Sequence, residues 1–260
     1  MSFKGSWVKI FASSIYLQIR AIAKTLLHAL KFYGFGTIES PDYLVLRDRK
    51  VAYLIMPKAA CSSIKKAMVK KWLPKEDEVK KGIHKNSVVQ KFSVRGQVKK
   101  AEELYFFTYV RDPFERLVSA YINKFEDFSK IRTVGFLYED YMGGYLKLTD
   151  SFEDFVRKVS QIHDRVSDRH FMSQSYLINT LSPHKIDTVF RLEDINTTFP
   201  SLSERYGFGQ LSFANKSSNY EYSRYYKSQE ILDLVKDRYK EDVETFGYQS
   251  TYDFLSSQLS

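Results

Sequence analysis

Twice in this chain a run of apolar residues ends in a short loop that opens at once into a helix. The first run, Lys50 to Met56, leads through Pro57-Lys58-Ala59-Ala60-Cys61-Ser62-Ser63 into a stretch, Ser62 to Trp72, where Ile64, Ala67, Met68 and Trp72 fall at helical spacing and Pro74 lies just beyond. The second, Tyr105 to Val110, is an apolar and aromatic run suited to a buried strand. A helix starts directly after it: Asp112 is the expected N-cap, Pro113 suits the first helical position, and Glu115 falls where a capping-box carboxylate belongs. Strand, tight loop and helix in repetition point to an α/β fold with a mainly parallel central sheet flanked by helices.

The remaining pattern fits around these two units. Tyr43 to Leu46 and Lys50 to Met56, separated by Arg47, Asp48 and Arg49, read as a hairpin. Residues 75–100 are Lys-rich with Gly82 and Gly96 and read as a surface connection with some helix. Phe152 to Val159 is a helix candidate, Asp187 to Arg191 a short strand, and Ser228 to Phe246 one long amphipathic helix. No internal repeat or heptad series occurs, which excludes a solenoid or coiled coil. The division expected is a basic amphipathic extension over residues 1–42 and one domain over residues 43–260.

Charge is unevenly spread over the 260 residues. The net charge is +9, yet residues 1–100 hold 21 Lys and Arg against 6 Asp and Glu, and the rest of the chain is net acidic. The first part is therefore expected to meet something anionic: a nucleotide, a polyanionic substrate, a membrane surface or nucleic acid. In the N-terminal stretch Ile10 to Leu30, Arg20, Lys24 and His28 interrupt the apolar run well short of the roughly 20 residues a span needs. Residues 1–31 read either as a helix packed on the domain or as a peripheral membrane contact. The single cysteine, Cys61, excludes an intramolecular disulfide framework and favours a reducing compartment.

The loop from Pro57 to Ser63 has the chemistry of an anion cradle. Small side chains let backbone N–H groups approach a phosphate, the helix N-terminus adds partial positive charge, and Lys58 adds a full one. It is not a Walker A loop, because the G-x-x-x-x-G-K-[ST] spacing is absent. Read as structure alone, it is a Ser-capped helix with an incidental Lys. Arg111, at the end of the second strand, offers a forked donor to a second anion, and Ser119 a hydroxyl from the helix that follows; the alternative for Arg111 is an ion pair with Asp112 or Glu115. Two such turns side by side at a parallel sheet edge would supply two separated anion sites.

Taken together, Pro57 to Ser63 and the segment Val110-Arg111-Asp112-Pro113-Phe114-Glu115-Arg116-Leu117-Val118-Ser119-Ala120-Tyr121 resemble the PAPS-dependent sulfotransferases, in the carbohydrate branch of the chondroitin, dermatan and heparan sulfate 2-O enzymes. The likeness extends over roughly residues 50–250, through Asp168-Arg169-His170, Val189 to Asp194 and Asp242 to Tyr248. It implies a P-loop-like sulfotransferase fold and direct transfer of a sulfuryl group from PAPS to a carbohydrate hydroxyl, with PAP as product and no metal. Lys58, Ala59, Ala60, Cys61, Ser62 and Ser63 would hold the 5′-phosphosulfate, Lys58 also neutralising charge on the leaving group, and Arg111 and Ser119 would hold the 3′-phosphate. Ala60 and Cys61 stand where many members have Gly and Ser or Thr.

The resemblance also implies a base between the two phosphate motifs, where His84 is the one His, with His170 the runner-up. Lys216, in a polar loop, sits where the wider superfamily places a late basic residue over the 3′-phosphate. Glu193 is expected to support the fold by accepting hydrogen bonds at a strand end. The lysines Lys65, Lys66, Lys70, Lys71, Lys75, Lys80, Lys81 and Lys85 read either as a solvated face or as an electropositive approach for an acidic glycan. A bacterial cytoplasmic enzyme, peripheral to the inner membrane in one reading, is the implied setting. The competing classes are a P-loop-like nucleotide kinase, disfavoured by the missing Walker A, and a nucleic-acid-binding protein. The latter predicts aromatics interleaved with the basic stretch, but residues 65–100 hold only Trp72 and Phe92, so no nucleic-acid partner is expected.

Overall fold

The computed structural model describes residues 23, 26, 30, 39–73, 83, 86–126, 141–142, 144–211 and 221–259. The chain divides into two compact units, one of Glu39–Ser119 with Arg169–Ser260 and the other of Met1–Ile38 with Ala120–Asp168.

The larger unit is built on a five-stranded sheet. Strands β1 (Asp42–Leu46) and β2 (Val51–Leu54) form the expected hairpin around a 3₁₀ turn, Arg47–Arg49, closed by Lys50 in the left-handed region. Helix α1 (Cys61–Met68) and a 3₁₀ turn at Lys70–Trp72 share the length expected of one helix. Helix α2 (Ser87–Phe92), capped by Asn86, runs into β3 (Ser93–Arg95), followed by β4 (Tyr105–Val110) and α3 (Pro113–Tyr121). Then come β5 (Thr188–Arg191), α4 (Ile195–Tyr206), α5 (Gln229–Arg238), α6 (Lys240–Phe246) and α7 (Gln249–Ser257).

The sheet order is β3-β1-β2-β4-β5. Its β2–β4 and β4–β5 pairs are parallel, but β1 pairs antiparallel with both β2 and β3, so the sheet is mixed and not mainly parallel. The physical reason is the hairpin: a three-residue turn can only reverse the chain, and β3 then adds along the free edge of β1. Both faces are covered. Leu44, Leu46, Val51, Tyr53, Phe107 and Tyr109 face α1, α2 and α4, whereas Tyr43, Val45, Ala52, Leu54 and Phe106 face Val98 and Leu104 on the other side. Alternate residues thus go to opposite cores, which is why these strands read as nearly continuous apolar runs.

Two further expectations change in detail. The stretch Ser228 to Phe246 is not one helix: Tyr239 (φ −114°, ψ 26°) separates α5 from α6. Its ring is buried and its hydroxyl donates to the Phe171 carbonyl at 2.6 Å. The amphipathic pattern runs on through the break because both helices turn their apolar sides inward. Lys65 is not part of a solvated face either. It is 6% exposed on the inner side of α1, near Asp42 and Arg169, and burial lowers its pKa. Lys70 and Lys71 are exposed, whereas Lys75, Lys80, Lys81 and Lys85 lie outside the described residues.

In the smaller unit, the helix Phe152–Ser160 forms as expected, with Ser151 and Asp154 closing a full capping box. Phe152 and Phe155 pack against Tyr121, and Phe125 stacks on the same ring with centroids 5.4 Å apart. Of the N-terminal stretch, Ala23, Leu26 and Leu30 are described; all three are helical and exposed, and the packing of the rest of residues 1–38 falls outside the described residues. Among the described residues no helix is long and apolar enough to cross a membrane.

Candidate functional site

The two turns singled out in the sequence stand at the carboxyl ends of neighbouring parallel strands. β2 and β4 pair from Val51↔Tyr105 to Tyr53↔Phe107, and the Thr108 hydroxyl donates to the Leu54 carbonyl at 2.8 Å where that pairing ends. Ligands of open α/β sheets bind at such an edge.

The first turn is shaped by its backbone. Lys58 (φ 67°) and Ala60 (φ 52°) both lie in the left-handed region, and the Ala59 N–H donates back to the Met56 carbonyl. Ala60 takes the N-cap position of α1 without offering a side-chain acceptor. The N–H groups of Cys61, Ser62 and Ser63 therefore open the helix with no capping side chain, where intrahelical acceptors are lacking by geometry. Ala59 is buried, and Lys58, Ala60, Cys61, Ser62 and Ser63 are half-buried. A backbone of this shape at a helix N-terminus is the kind that can cradle an anion.

The second turn is capped as expected, but by a different carboxylate pair. Asp112 Oδ1 accepts from the N–H groups of Phe114 (2.9 Å) and Glu115 (3.3 Å). Glu115 does not reach back to complete a capping box; it takes Nε and Nη2 of Arg111 at 3.3 and 2.9 Å. The reciprocal acceptor is Glu193, whose Oε1 takes the Asp112 N–H at 3.0 Å and whose Oε2 accepts from the Tyr248 hydroxyl at 3.0 Å. Glu193 thus has the supporting contacts expected of it. Burial, only partly offset by hydrogen bonds from Thr251, Glu115 and Phe114, raises the Asp112 carboxyl to about 6. Arg111, Glu115 and Ser119 follow one another at intervals of four and are all half-buried, so they share one side of α3 and its entry. Tyr222 stands in the field of Arg111, Asp112, Glu115 and Glu193, and burial raises its hydroxyl to about 12.

The turns touch each other. Arg111 Nη1 donates to the Lys58 carbonyl at 3.3 Å. Beneath them, the buried guanidinium of Arg116 donates through Nε to the Pro57 carbonyl (3.1 Å), through Nη1 to that of Met172 (2.8 Å) and through Nη2 to that of Arg169 (2.9 Å). One side chain of α3 thereby ties that helix to the first turn and to the segment carrying His170. That segment is pinned again by Tyr239 at the Phe171 carbonyl, and by an ion pair from Arg169 to Glu39 at 3.2 Å and another to Asp42.

Of the residues proposed from sequence, the structure places Lys58, Ala59, Ala60, Cys61, Ser62, Ser63 and Arg111 at these adjoining turns, with Arg111 in the ion pair with Glu115 that was its alternative reading; Ser119 lies further along, in the last turn of α3, and His170 in the segment tied to the turns. His84 and Lys216 lie outside the described residues. The sequence reading missed Gln174 and Asp242. Gln174 Oε1 accepts the Arg111 N–H (2.9 Å) and Nε2 donates to the Arg111 carbonyl (2.8 Å), while Asp242 accepts the backbone N–H groups of Gln174 (2.9 Å) and Ser175 (2.7 Å). Among the described residues no cluster of His, Cys, Asp and Glu is arranged to hold a metal ion.

Over 107 aligned residues the chain is 32% identical to Carbohydrate sulfotransferase 12 of Xenopus laevis, an overlap covering 33% of this chain and 26% of that protein. The match thus spans about a quarter of the relative's length. No solved structure matches the chain. The family model described as "Sulfotransferase family" matches residues 41–249, from the first strand of the sheet to the start of the last helix, and the chain belongs to that family.

Proposed function

We propose that this protein transfers the sulfuryl group of PAPS (3′-phosphoadenosine-5′-phosphosulfate) to a hydroxyl of a carbohydrate. The observation that supports the reading is the pair of strand-to-helix turns joined by the Arg111–Lys58 hydrogen bond at the edge of β2 and β4. A nucleotide with a phosphosulfate on one side of its ribose and a phosphate on the other suits two such sites, and the donors present fit both. Lys58, the α1 amides, Ser62 and Ser63 would take the 5′ side, and Arg111 and Ser119 the 3′-phosphate.

Transfer of this kind depends on in-line positioning and charge stabilisation. The acceptor oxygen forms a bond to sulfur as the bond from sulfur to the bridging phosphate oxygen breaks, and the charge developing on that oxygen is met by Lys58. The acceptor proton passes to a base, for which His84 is the first candidate. His170 is the second, favoured by one contact: its neighbour Arg169 shares the Arg116 guanidinium with Pro57. The lysine-rich first part of the chain would draw in an acidic glycan.

The test is a screen with labelled PAPS against acidic and neutral glycans. Sulfated product, with a preference for acidic acceptors that fades as salt rises, is the expected result. PAP should raise the melting temperature, whereas ATP with Mg²⁺ or single-stranded DNA should not; the reverse pattern would replace this reading with a kinase or a nucleic-acid-binding protein. His84→Ala is expected to abolish turnover while PAP still binds. Normal turnover in that variant and loss in His170→Ala would move the base to His170.

A further inference from the structure

Arg111 lies one residue beyond the strand that carries it. The β4–β5 pairing stops at Val110↔Arg191 and the β2–β4 pairing stops earlier, at Tyr53↔Phe107. The Arg111 peptide groups therefore leave the sheet with no ladder partner on either side. Buried backbone groups of this kind need partners.

A single side-chain amide satisfies both of them. Gln174 is fully buried, accepts the Arg111 N–H at 2.9 Å and donates to the Arg111 carbonyl at 2.8 Å. This is the exchange that a neighbouring strand would make, supplied by one planar group. The amide is itself oriented: Nε2 lies 3.3 Å from Asp242 Oδ2, which also accepts the Gln174 N–H, and Asp242 is fully buried. An amide accepts and donates at once here at any pH, whereas an ionised carboxylate has no donor and an aliphatic chain has neither. Asn carries the same group one methylene shorter. With Glu193 holding the Asp112 N–H, three consecutive backbone groups of the turn are set by side chains from far along the chain.

We infer that Gln174, held by Asp242, is the positioning residue that aims Arg111 at the nucleotide's 3′-phosphate. The inference rests on the donor reading above. Gln174 touches no reacting atom; it fixes the backbone from which the guanidinium projects. Loss of its two hydrogen bonds should therefore weaken nucleotide binding more than turnover at saturating donor.

The test compares the full-length protein with Gln174→Leu and Gln174→Glu in PAP binding by calorimetry and in kcat and KM for PAPS. Gln174→Leu should weaken PAP binding and raise KM by roughly 10- to 100-fold, the effect of two lost hydrogen bonds, while kcat changes little. Gln174→Glu should bind PAP poorly at pH 8 and regain affinity relative to wild type as the pH falls. Protonation would then restore a donor to the Arg111 carbonyl and relieve repulsion from Asp242. A merely structural role would lower the melting temperature without that recovery. If the Leu variant does not fold, the pH profile of the Glu variant decides. Variants that bind PAP within twofold of a PAP-binding wild type, or a Glu variant with no recovery at low pH, would overturn the inference alone. A wild type that binds no PAP would overturn the donor reading and this inference with it.

Discussion

Arg111 and Lys58 meet through the main chain of one and the guanidinium of the other, Nη1 to carbonyl oxygen at 3.3 Å. The same guanidinium holds Glu115 through Nε and Nη2. Its planar fork thus faces both the first turn and the acidic side of α3. A Lys side chain, with one compact head group, cannot span both. Arg111→Lys should lose most of the PAP affinity that Arg111→Ala loses, about 10- to 100-fold for a charge-assisted pair. Calorimetric titration with PAP reads the difference, and a Lys variant close to wild type would contradict it.

Ala60 carries a left-handed backbone (φ 52°, ψ 22°) at the N-cap of α1. A Cβ costs roughly 1–2 kcal/mol there, whereas Gly adopts the conformation freely and loses only about 0.5–1 kcal/mol more backbone entropy than Ala on folding. Ala60→Gly should stabilise the protein by about 0.5–1 kcal/mol and leave PAP binding intact. Urea denaturation checks the sign; a destabilised variant would show that the Ala60 methyl contributes more by packing than its backbone strain costs.

The Asp112 carboxyl, raised to about 6 by burial, links stability to pH. Its unfolded value lies near 4, so between pH 4 and 6 the folded state binds the proton more tightly. Stability from this group is full below about pH 4 and is lost as pH rises through about 6, to the extent of roughly 3 kcal/mol. Asp112→Asn keeps a capping oxygen and removes the titration. The stability of wild type relative to Asp112→Asn, followed by denaturation across this range, should fall as pH rises; a flat difference would refute the linkage.

Arg116 saturates three carbonyls from a buried position, with Asp242 as a compensating charge. Arg116→Lys keeps the charge but not the three-way geometry. It should cost about 2–4 kcal/mol, because carbonyls are left unpaired in the interior. Denaturation measures the loss, and a change below about 1 kcal/mol would mean that the segment rearranges to satisfy them.

The features legible in the sequence were local. The hairpin, the run Tyr105–Val110, the Asp112 cap and the small-residue loop before α1 each announce themselves within a few residues, through alternation, helical spacing or cap chemistry. Strand β3 was not legible, because three residues with half-exposed or exposed side chains carry no hydrophobic period. Lys65 looked like its solvated neighbours, although its place beside Ile64 and Met68 in the helical phase signals an inward position. Gln174, Asp242 and the capping role of Glu193 act on backbone groups 63 to 81 residues away, and a backbone group leaves no trace in a sequence pattern. For Glu193 its place just after a strand was a usable signal, and for Asp242 its place in the family-like segment Asp242 to Tyr248; for Gln174 there was none.

The sheet places both anion turns early in the chain, by Ser119, yet the groups that give them shape come from Arg169, Met172, Gln174, Glu193 and Asp242. During synthesis the two sequence motifs are thus complete long before the site is. A nascent chain that ends ahead of Asp242 carries every motif residue from Lys58 to Ser119 and still lacks the carboxylate that orients Gln174. Assembly of the site therefore waits on contacts of high sequence separation, the slow class in folding. The geometry of the two turns is therefore complete only when the chain has been made through Asp242, within the last eight residues of the match to the family.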